Sequence, residues 1–170
     1  MRAECEITQA RFFVDDELSL LEQIREIAER FGVHIVVFNA SNMAGSAHVA
    51  AALGHAQRSF YEETPIAKTF EMEALLFAAG SRQVANAVRF GIHHGENAGY
   101  ICLCPPGTGA REALGEAVTF VEEDWEPINE AKKAHLVDIF GITAEELETV
   151  GEDRLAELVC ERVALLAVYR

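Results

Sequence analysis

Residues 102–113 could bind a phosphate, because they read CLCPPGTGAREA and place two glycines close together. In a phosphate-binding loop, G-x-x-x-x-G-K-[ST], the glycines expose backbone N–H groups, the lysine neutralises the terminal phosphates and the hydroxyl holds Mg²⁺. If Gly109 is the second glycine, Cys104 replaces the first. Ala110 then replaces the lysine, and Arg111 replaces the hydroxyl residue. The sequence therefore favours a turn between a strand Tyr100–Cys104 and a helix near Arg111, because prolines end strands.

Histidines and acidic residues lack the spacing that catalysis or metal binding needs. His48 and His55 are seven residues apart, whereas metal-binding pairs on a helix are usually three or four apart. His93 and His94 lie in a polar segment that is typical of an exposed loop. Neither G-x-S-x-G nor H-E-x-x-H occurs in the sequence. The sequence therefore predicts no catalytic residue, no metal site and no cofactor.

The cysteines are scattered, at Cys5, Cys102, Cys104 and Cys160. Cys102 and Cys104 would project from the same face of a strand. No second Cys or His pair has zinc-finger spacing, so we expect four reduced, buried thiols. The sequence has neither an apolar run of membrane-spanning length nor an apolar signal segment at its start. These features predict a cytoplasmic protein without a membrane partner.

The net charge of −14 argues against a broad nucleic-acid-binding surface. The charge is uneven along the chain: residues 1–63 carry a net charge of −5, residues 64–111 carry +1, and residues 112–170 carry −10. The middle third is therefore the part of the chain that would not repel a phosphate. Burial of a charge-poor segment explains the same distribution equally well.

The pattern of apolar residues predicts a mixed α/β (α+β) fold in one domain over residues 1–170. The predicted strands are Cys5–Val14, Val33–Phe38, Tyr100–Cys104 and Val118–Val121. The predicted helices are one between the N-cap residues Asp15/Asp16 and Gly32, and others at 46–58, Phe70–Ala79, Arg82–Phe90, 128–140, 143–150 and 152–168. A polar loop is expected at His93–Gly99. These elements indicate a small central sheet of about four to five mainly antiparallel strands that helices cover.

The turn at Gly80 and Ser81 is the best candidate for an anion site. Gly80 can end one helix in the left-handed conformation, and Ser81 can cap the next. The free N–H groups at such a helix start attract anions. The cations Lys68, Arg82 and Arg89 flank the turn, and the Gln83 amide could contact a base or a sugar. The predicted RNA-contacting residues are therefore Lys68, Gly80, Ser81, Arg82, Gln83 and Arg89.

The same segment resembles a known family. It reads PIAKTF at residues 65–70, continues with Glu73, and then reads AGSRQV at residues 79–84, followed by Ala87. This order of residues resembles the kinase-binding subunits of the archaeal and eukaryotic KEOPS complex, the family of the human PRPK-binding protein. The last helix, EDRLAELVCERVALL at residues 152–166, resembles that of the family as well. The likeness is strongest over residues 60–104 and 128–168.

The resemblance implies a non-catalytic accessory role in tRNA modification. KEOPS makes threonylcarbamoyladenosine at position 37 of tRNA. The resemblance implies that this subunit binds the small atypical kinase of the complex and, in archaea, captures the single-stranded 3′ CCA end of tRNA. Recognition of a flexible RNA end depends on stacking and local contacts, which suits an acidic protein with one neutral-to-positive segment.

The C-terminal helix is the predicted kinase contact. Its apolar stripe, edged by charge, comprises Leu155, Leu158, Val159, Arg162, Val163 and Leu166, and Tyr169 and Arg170 follow it. The predicted kinase-binding residues are Leu155, Leu158, Val159, Arg162, Leu166 and Tyr169. Burial of the stripe in the protein's own core is the competing interpretation.

Two other functions stay open at this point. One is a degenerate P-loop-like nucleotide-binding enzyme that uses the loop Pro105–Gly109, for which ATP would raise the melting temperature. The other is a protein–protein interaction module without RNA binding, for which the charges of Lys68, Arg82 and Arg89 would not affect tRNA capture.

Overall fold

The computed structural model describes residues 4–169, except for the side chain of Thr108. Within these residues, four strands form one antiparallel sheet. The strands are Glu6–Val14 (β1), His34–Asn39 (β2), Gly95–Cys104 (β3) and Thr119–Val121 (β4). Their order is β2-β3-β1-β4, so β1 and β3 lie in the centre and β2 and β4 form the edges. The predicted small antiparallel sheet is confirmed.

Helices cover both faces of the sheet. They are Glu17–Phe31 (α1), Ser46–Tyr61 (α2), Phe70–Ala79 (α3), Val84–Ala87 (α4), Thr108–Leu114 (α5), Glu130–Phe140 (α6), Ala144–Val150 (α7) and Leu155–Tyr169 (α8). One face buries Ile101 and Leu103 with α1 and α5. The opposite face buries Tyr100 and Cys102 with α2, α3, α6 and α8. Successive residues of β3 therefore enter two separate cores, as the period of two in a strand requires.

Local sequence signals set both ends of α1. The side chain of Asp16 accepts a hydrogen bond from the N–H of Ser19 at 3.2 Å, which caps the first turn. Gly32 has a φ of 64° and ends the helix in the left-handed conformation. Both predicted boundaries are confirmed. Within residues 4–169, every helix is too short or too polar to traverse a lipid bilayer.

Strand β3 is longer than predicted, because it begins at Gly95 and includes most of the expected polar loop His93–Gly99. Its added residues pair with the end of β1, where Gly95 lies opposite Val14 and Asn97 opposite Phe12. Hydrogen bonds to a neighbouring strand satisfy the backbone here, whatever the polarity of the side chains. The local composition could not reveal this partner.

Cys5 and Cys104 form a disulfide, so the prediction of reduced thiols is wrong for this pair. Because Glu6 pairs with Leu103, the adjacent residues Cys5 and Cys104 lie side by side, with their Cα atoms 4.4 Å apart. Cys102 and Cys160 are free, and burial raises the pKa of both thiols. The bonded cysteines are 99 residues apart in sequence, so only the strand register identifies them as partners.

Candidate functional site

Helix α3 ends at Gly80, as the sequence predicts. Gly80 has a φ of 61°, and its N–H donates to the carbonyl oxygens of Leu76 and Phe77. A Cβ atom on Gly80 would lie 3.3 Å from the carbonyl oxygen of Arg162 in α8. Glycine therefore serves two purposes here, since it adopts the left-handed conformation and lets α3 approach the backbone of α8 closely.

The helix after Gly80 differs from the prediction of a helix Arg82–Phe90 with Ser81 as its N-cap. It begins at Val84, has four residues (α4), and then tightens into a 3-10 turn. The Ser81 hydroxyl instead accepts hydrogen bonds from the Gln83 N–H and the Asn86 side-chain amide, at 3.1 and 2.9 Å. The predicted helix start at Ser81 is therefore wrong, and a single turn aligns few peptide dipoles that could attract an anion. Side chains must hold any ligand at this place.

A cavity of about 300 Å³ lies beside this turn, next to α6 and α8. Its lining residues are Ala79, Gly80, Ser81, Asn86, Arg89, Phe90, Ile139, Phe140 and Arg162. Three of the residues predicted to contact RNA therefore come together here. Arg162, which was predicted to contact a kinase, lines the same cavity, and Asn86 was not predicted at all.

Two arginines set the charge of this cavity. Arg162 donates two hydrogen bonds to the carboxylate of Glu146, with N–O distances of 2.9 and 2.7 Å. This contact lowers the pKa of Glu146 below its ordinary value. Arg89 takes part in none of the ion pairs within residues 4–169. Arg89 therefore carries the uncompensated positive charge at the cavity.

His48 supports the aromatic rings that line the cavity. Its ring meets Phe90 and Phe140 edge-on, with centroid distances of 6.5 and 5.6 Å. Nδ1 accepts the N–H of Ala44 at 3.0 Å, so Nε2 carries the proton and donates to the carbonyl oxygen of Ala78 at 2.8 Å. Burial lowers the pKa of His48 to about 4, although the bond to Ala78 favours the charged form. His48 is thus a neutral, structural histidine at physiological pH.

Asn42 holds the backbone beside Arg89. Its side-chain Nδ2 donates to the carbonyl oxygen of Arg89 at 2.7 Å, and its Oδ1 contacts Nε2 of His135. The side chain is buried, so these contacts satisfy both ends of an amide removed from water. Asn42 precedes Arg89 by 47 residues and ends the short 3-10 helix Ala40–Asn42, where no sequence signal marks it as a positioning residue.

The other three predicted RNA-contacting residues lie outside this cavity. Arg82 donates to the carbonyl oxygen of Tyr169 at 3.1 Å and lines a separate cavity beside residues 64–66. Gln83 is exposed and lines neither of these cavities. Lys68 lines a groove along β2, on a different part of the molecule.

Helix α8 buries most of the residues that were predicted to contact a kinase. The buried ones, each at most 6% exposed, are Leu155, Leu158, Val159 and Leu166. They belong to the core that α8 shares with α2, α3 and α6, because the apolar stripe of an amphipathic helix turns inward. These four residues are therefore buried in the protein's own core, as the competing interpretation of the stripe stated. A partner cannot reach them while α8 remains packed.

A second apolar stripe on α8 is accessible. It consists of Leu165, Val168 and Tyr169, which are 37%, 71% and 73% exposed. Their spacing of three and four residues places them on one face of the helix. Of the predicted kinase-binding residues, Tyr169 belongs to this exposed stripe, and Arg170 lies outside the described residues.

Glu73 organises the loop that precedes α3. Its carboxylate is fully buried and accepts hydrogen bonds from the N–H groups of Ile66, at 3.0 and 3.1 Å, and Ala67, at 2.7 Å. Part of the motif that resembles the KEOPS subunits therefore has a structural purpose. The carboxylate replaces water for backbone groups that would otherwise lack a partner.

The loop after β3 packs as a structural turn. Helix α5 begins at Thr108, earlier than the predicted start near Arg111. A Cβ atom on Gly109 would lie 2.6 Å from the ring of Phe31, so this glycine permits close packing of α5 on α1. Arg111, at the position of the P-loop hydroxyl, pairs with Glu6 at 2.9 Å. These contacts agree with the preference for a turn over a nucleotide site.

His93 and His94 are exposed, as the sequence predicts. The side chain of Asn97 holds the backbone of His93, accepting its N–H at 3.1 Å and donating to its carbonyl oxygen at 2.7 Å. In the part of the chain that the structure describes, no three His, Cys, Asp or Glu side chains are arranged to hold a metal ion.

Comparison with known proteins identifies one informative relative. The chain is 29% identical over 140 residues to the protein named Regulatory protein Cgi121 from Methanocaldococcus jannaschii. The alignment covers 82% of this chain and 87% of the relative, so the likeness extends over most of both proteins. No model of a known protein family matches the chain.

Proposed function

We propose that this protein is a non-catalytic accessory subunit of a KEOPS complex, which binds the atypical kinase of the complex and captures the 3′ CCA end of tRNA. The cavity that gathers Gly80, Ser81, Arg89 and Arg162 carries the proposal. The KEOPS-like motifs and the similarity to a protein named as regulatory support it.

The chemistry of the cavity suits a single-stranded RNA end. Its volume of about 300 Å³ lies at the lower end of the usual range for ligand pockets. Arg89 offers an unpaired guanidinium group to a phosphate, and the Asn86 amide and the Ser81 hydroxyl can bond to base or sugar edges. Phe90, Phe140 and the more accessible Ile139 form an apolar wall of the cavity that a base can contact.

The exposed stripe Leu165, Val168 and Tyr169 is the proposed kinase contact. Exposed apolar residues at helical spacing suit docking against an apolar surface of a partner. Arg82 contacts the backbone of Tyr169, and Val84 and Val88 nearby in sequence are 53% and 50% exposed. The docking surface can therefore include α4 as well as α8.

The RNA part is tested by measuring how the assembled complex binds intact tRNA and the same tRNA without its CCA end. We expect Arg89→Gln to weaken binding of intact tRNA only. Loss of one phosphate contact should reduce the log–log salt slope by roughly 0.7, by the single-strand rule. Arg30→Gln, an exposed cation at the end of α1, is the matched control.

Two results would refute the RNA part. One is equal affinity of the wild-type complex for the two tRNAs. The other is an Arg89→Gln complex whose affinity and salt slope equal those of the Arg30→Gln complex. If kinase binding persisted together with the first result, the protein would be an interaction module that does not capture the CCA end. The second result would exclude Arg89 as a phosphate contact.

The kinase part is tested by co-purification after Val168→Glu, with Tyr61→Glu as the control. Both side chains are 71% exposed, so neither change should unfold the protein. We expect loss of the kinase only for Val168→Glu, and equal recovery with both variants would exclude this surface. Leu158→Glu is not a suitable test, because a carboxylate at a position only 4% exposed would disrupt the core.

A melting experiment distinguishes the proposed function from the alternative of a nucleotide-binding enzyme. A subunit that binds kinase and RNA should show no change in melting temperature with Mg²⁺-ATP. A nucleotide site at the loop Pro105–Gly109 would instead give a rise that grows with ligand concentration.

A further inference from the structure

The outer edge of β2 is uncovered within the described chain. Strand β2 pairs with β3 along His34–Asn39, and no backbone hydrogen bond within residues 4–169 joins it to another segment. The strand reads HIVVFN and lacks the lysine or proline by which proteins often protect an edge. The opposite edge, β4, has only three residues. The long apolar edge is therefore the one that can accept another strand.

A groove of about 620 Å³ follows this edge. Its walls come from both helical layers: Leu21 and Ala28 belong to α1, and Phe70 and Leu75 to α3. Residues Ile35–Val37 of β2 also line it. A strand added to a sheet lies about 4.8 Å from its neighbour and turns alternate side chains to opposite faces. Each wall would therefore receive every second side chain of such a strand.

We propose that this groove binds an extended segment of a partner polypeptide, without net charge, as a fifth strand of the sheet. The backbone of β2 would supply hydrogen bonds, and the apolar walls would select alternating apolar side chains. This proposal goes beyond the proposed function and does not depend on RNA binding.

The charges around the groove support a neutral occupant. Arg25 and Lys68 are balanced by Glu29 and Glu71, although the whole chain carries −14. Glu71 also contacts the ring of His34 at 2.7 Å. A strongly charged segment would meet like charges here whichever sign it carried, whereas an apolar strand would not. A nucleic acid lacks the alternating N–H and C=O groups that an edge strand pairs with.

The shape of the groove favours a single strand over a second copy of this chain. Elements of both layers line the groove together with β2, so the edge lies between helical walls. A second copy would present an edge with the same walls. Bringing two such edges within about 4.8 Å would force helices roughly 10 Å in diameter to overlap.

The proposal is tested by selecting random 12-residue peptides displayed on phage against the wild-type protein. Enriched peptides are then synthesised and their affinity measured by fluorescence polarisation. Ala28→Trp fills the groove, and Leu21→Arg places a charge in its wall. Leu18→Arg is the control, because Leu18 is an exposed leucine of α1 that does not line the groove.

We expect enriched peptides to alternate apolar residues and to slow hydrogen exchange of the β2 amides. Either groove variant should lower their affinity at least about tenfold, equivalent to 1.4 kcal/mol, and Leu18→Arg should not. Failure to enrich peptides, or equal binding to wild type and Leu21→Arg, would overturn the proposal. So would a wild-type dimer in sedimentation that Leu21→Arg dissociates. Leu21 is already partly exposed, so its variant keeps the test decisive if Ala28→Trp does not fold.

Discussion

Protonation of His48 should destabilise this protein in mild acid. The imidazole is fully buried, and its Nδ1 accepts the N–H of Ala44. A proton on Nδ1 would remove that hydrogen bond and place a charge in the core. Because the ring also supports Phe90 and Phe140, the same proton would weaken the candidate RNA cavity.

The size of this effect follows from the pKa of His48. The pKa falls from 6.5 to about 4 on folding, so the unfolded chain binds more protons between these values and stability decreases as pH decreases. The full loss, for a shift of about 2.5 pH units, is about 3 kcal/mol. At pH 5 the expression RT ln[(1 + 10^1.5)/(1 + 10^−1)] gives a loss of about 2 kcal/mol relative to neutral pH.

Urea unfolding at pH 7.5 and pH 5.0 measures this loss directly. His48→Gln should be less stable than wild type at pH 7.5, but should lose about 2 kcal/mol less on acidification. His93→Gln changes an exposed histidine and should retain the wild-type pH dependence. If wild type and His48→Gln lost equal stability between the two pH values, burial of His48 would not be the source of the acid sensitivity.

Three further changes test contacts that hold the fold and the site. Cys5→Ser should lower the free energy of unfolding by about 4 to 5 kcal/mol, from the chain-entropy estimate for a loop of this length. Wild-type protein denatured without a reductant should show two titratable thiols, whereas four would disprove the disulfide. Glu73→Gln should lower the free energy of unfolding, measured in urea, by about 1 to 3 kcal/mol, because it alters a buried acceptor of backbone N–H groups. Glu71→Gln, at a partly exposed position, should lower it less, and equal losses would contradict the role of Glu73. Gly80→Ala should lower the melting temperature more than Gly141→Ala. Both glycines have a φ of 61°, which strains an alanine by about 1 to 2 kcal/mol, but only a Cβ atom at position 80 would meet the backbone of α8. Equal shifts would show that the close approach is unimportant.

Periodicity and local signals predicted most elements well, because short-range physics decides them. Asp16, Gly32 and Gly80 set helix ends through their own hydrogen bonds or φ angles, which no distant residue needs to supply. The prediction failed at Ser81, whose hydroxyl bonds to Gln83 and Asn86 instead of capping a helix. Both uses of a serine are local and have the same sequence signature, so the packed structure selects between them.

The candidate site was predicted only in part. Gly80, Ser81 and Arg89 are close in sequence and meet in one cavity. However, Arg162 joins them from α8, and Asn42 positions Arg89 from a 3-10 helix far earlier in the chain. Such contacts depend on how helices pack. No spacing rule within one segment contains that information.

The sequence by itself determined the antiparallel α/β architecture, the acidic character and the neutral middle segment, since composition and periodicity act within short stretches of chain. The tertiary structure alone decided which stripe of α8 faces the core, which cysteines pair and which cations share a cavity. The physical reason is that an amphipathic helix specifies only that one face must be buried, whereas the neighbours that bury this face of α8 come from other segments of the chain, α2, α3 and α6.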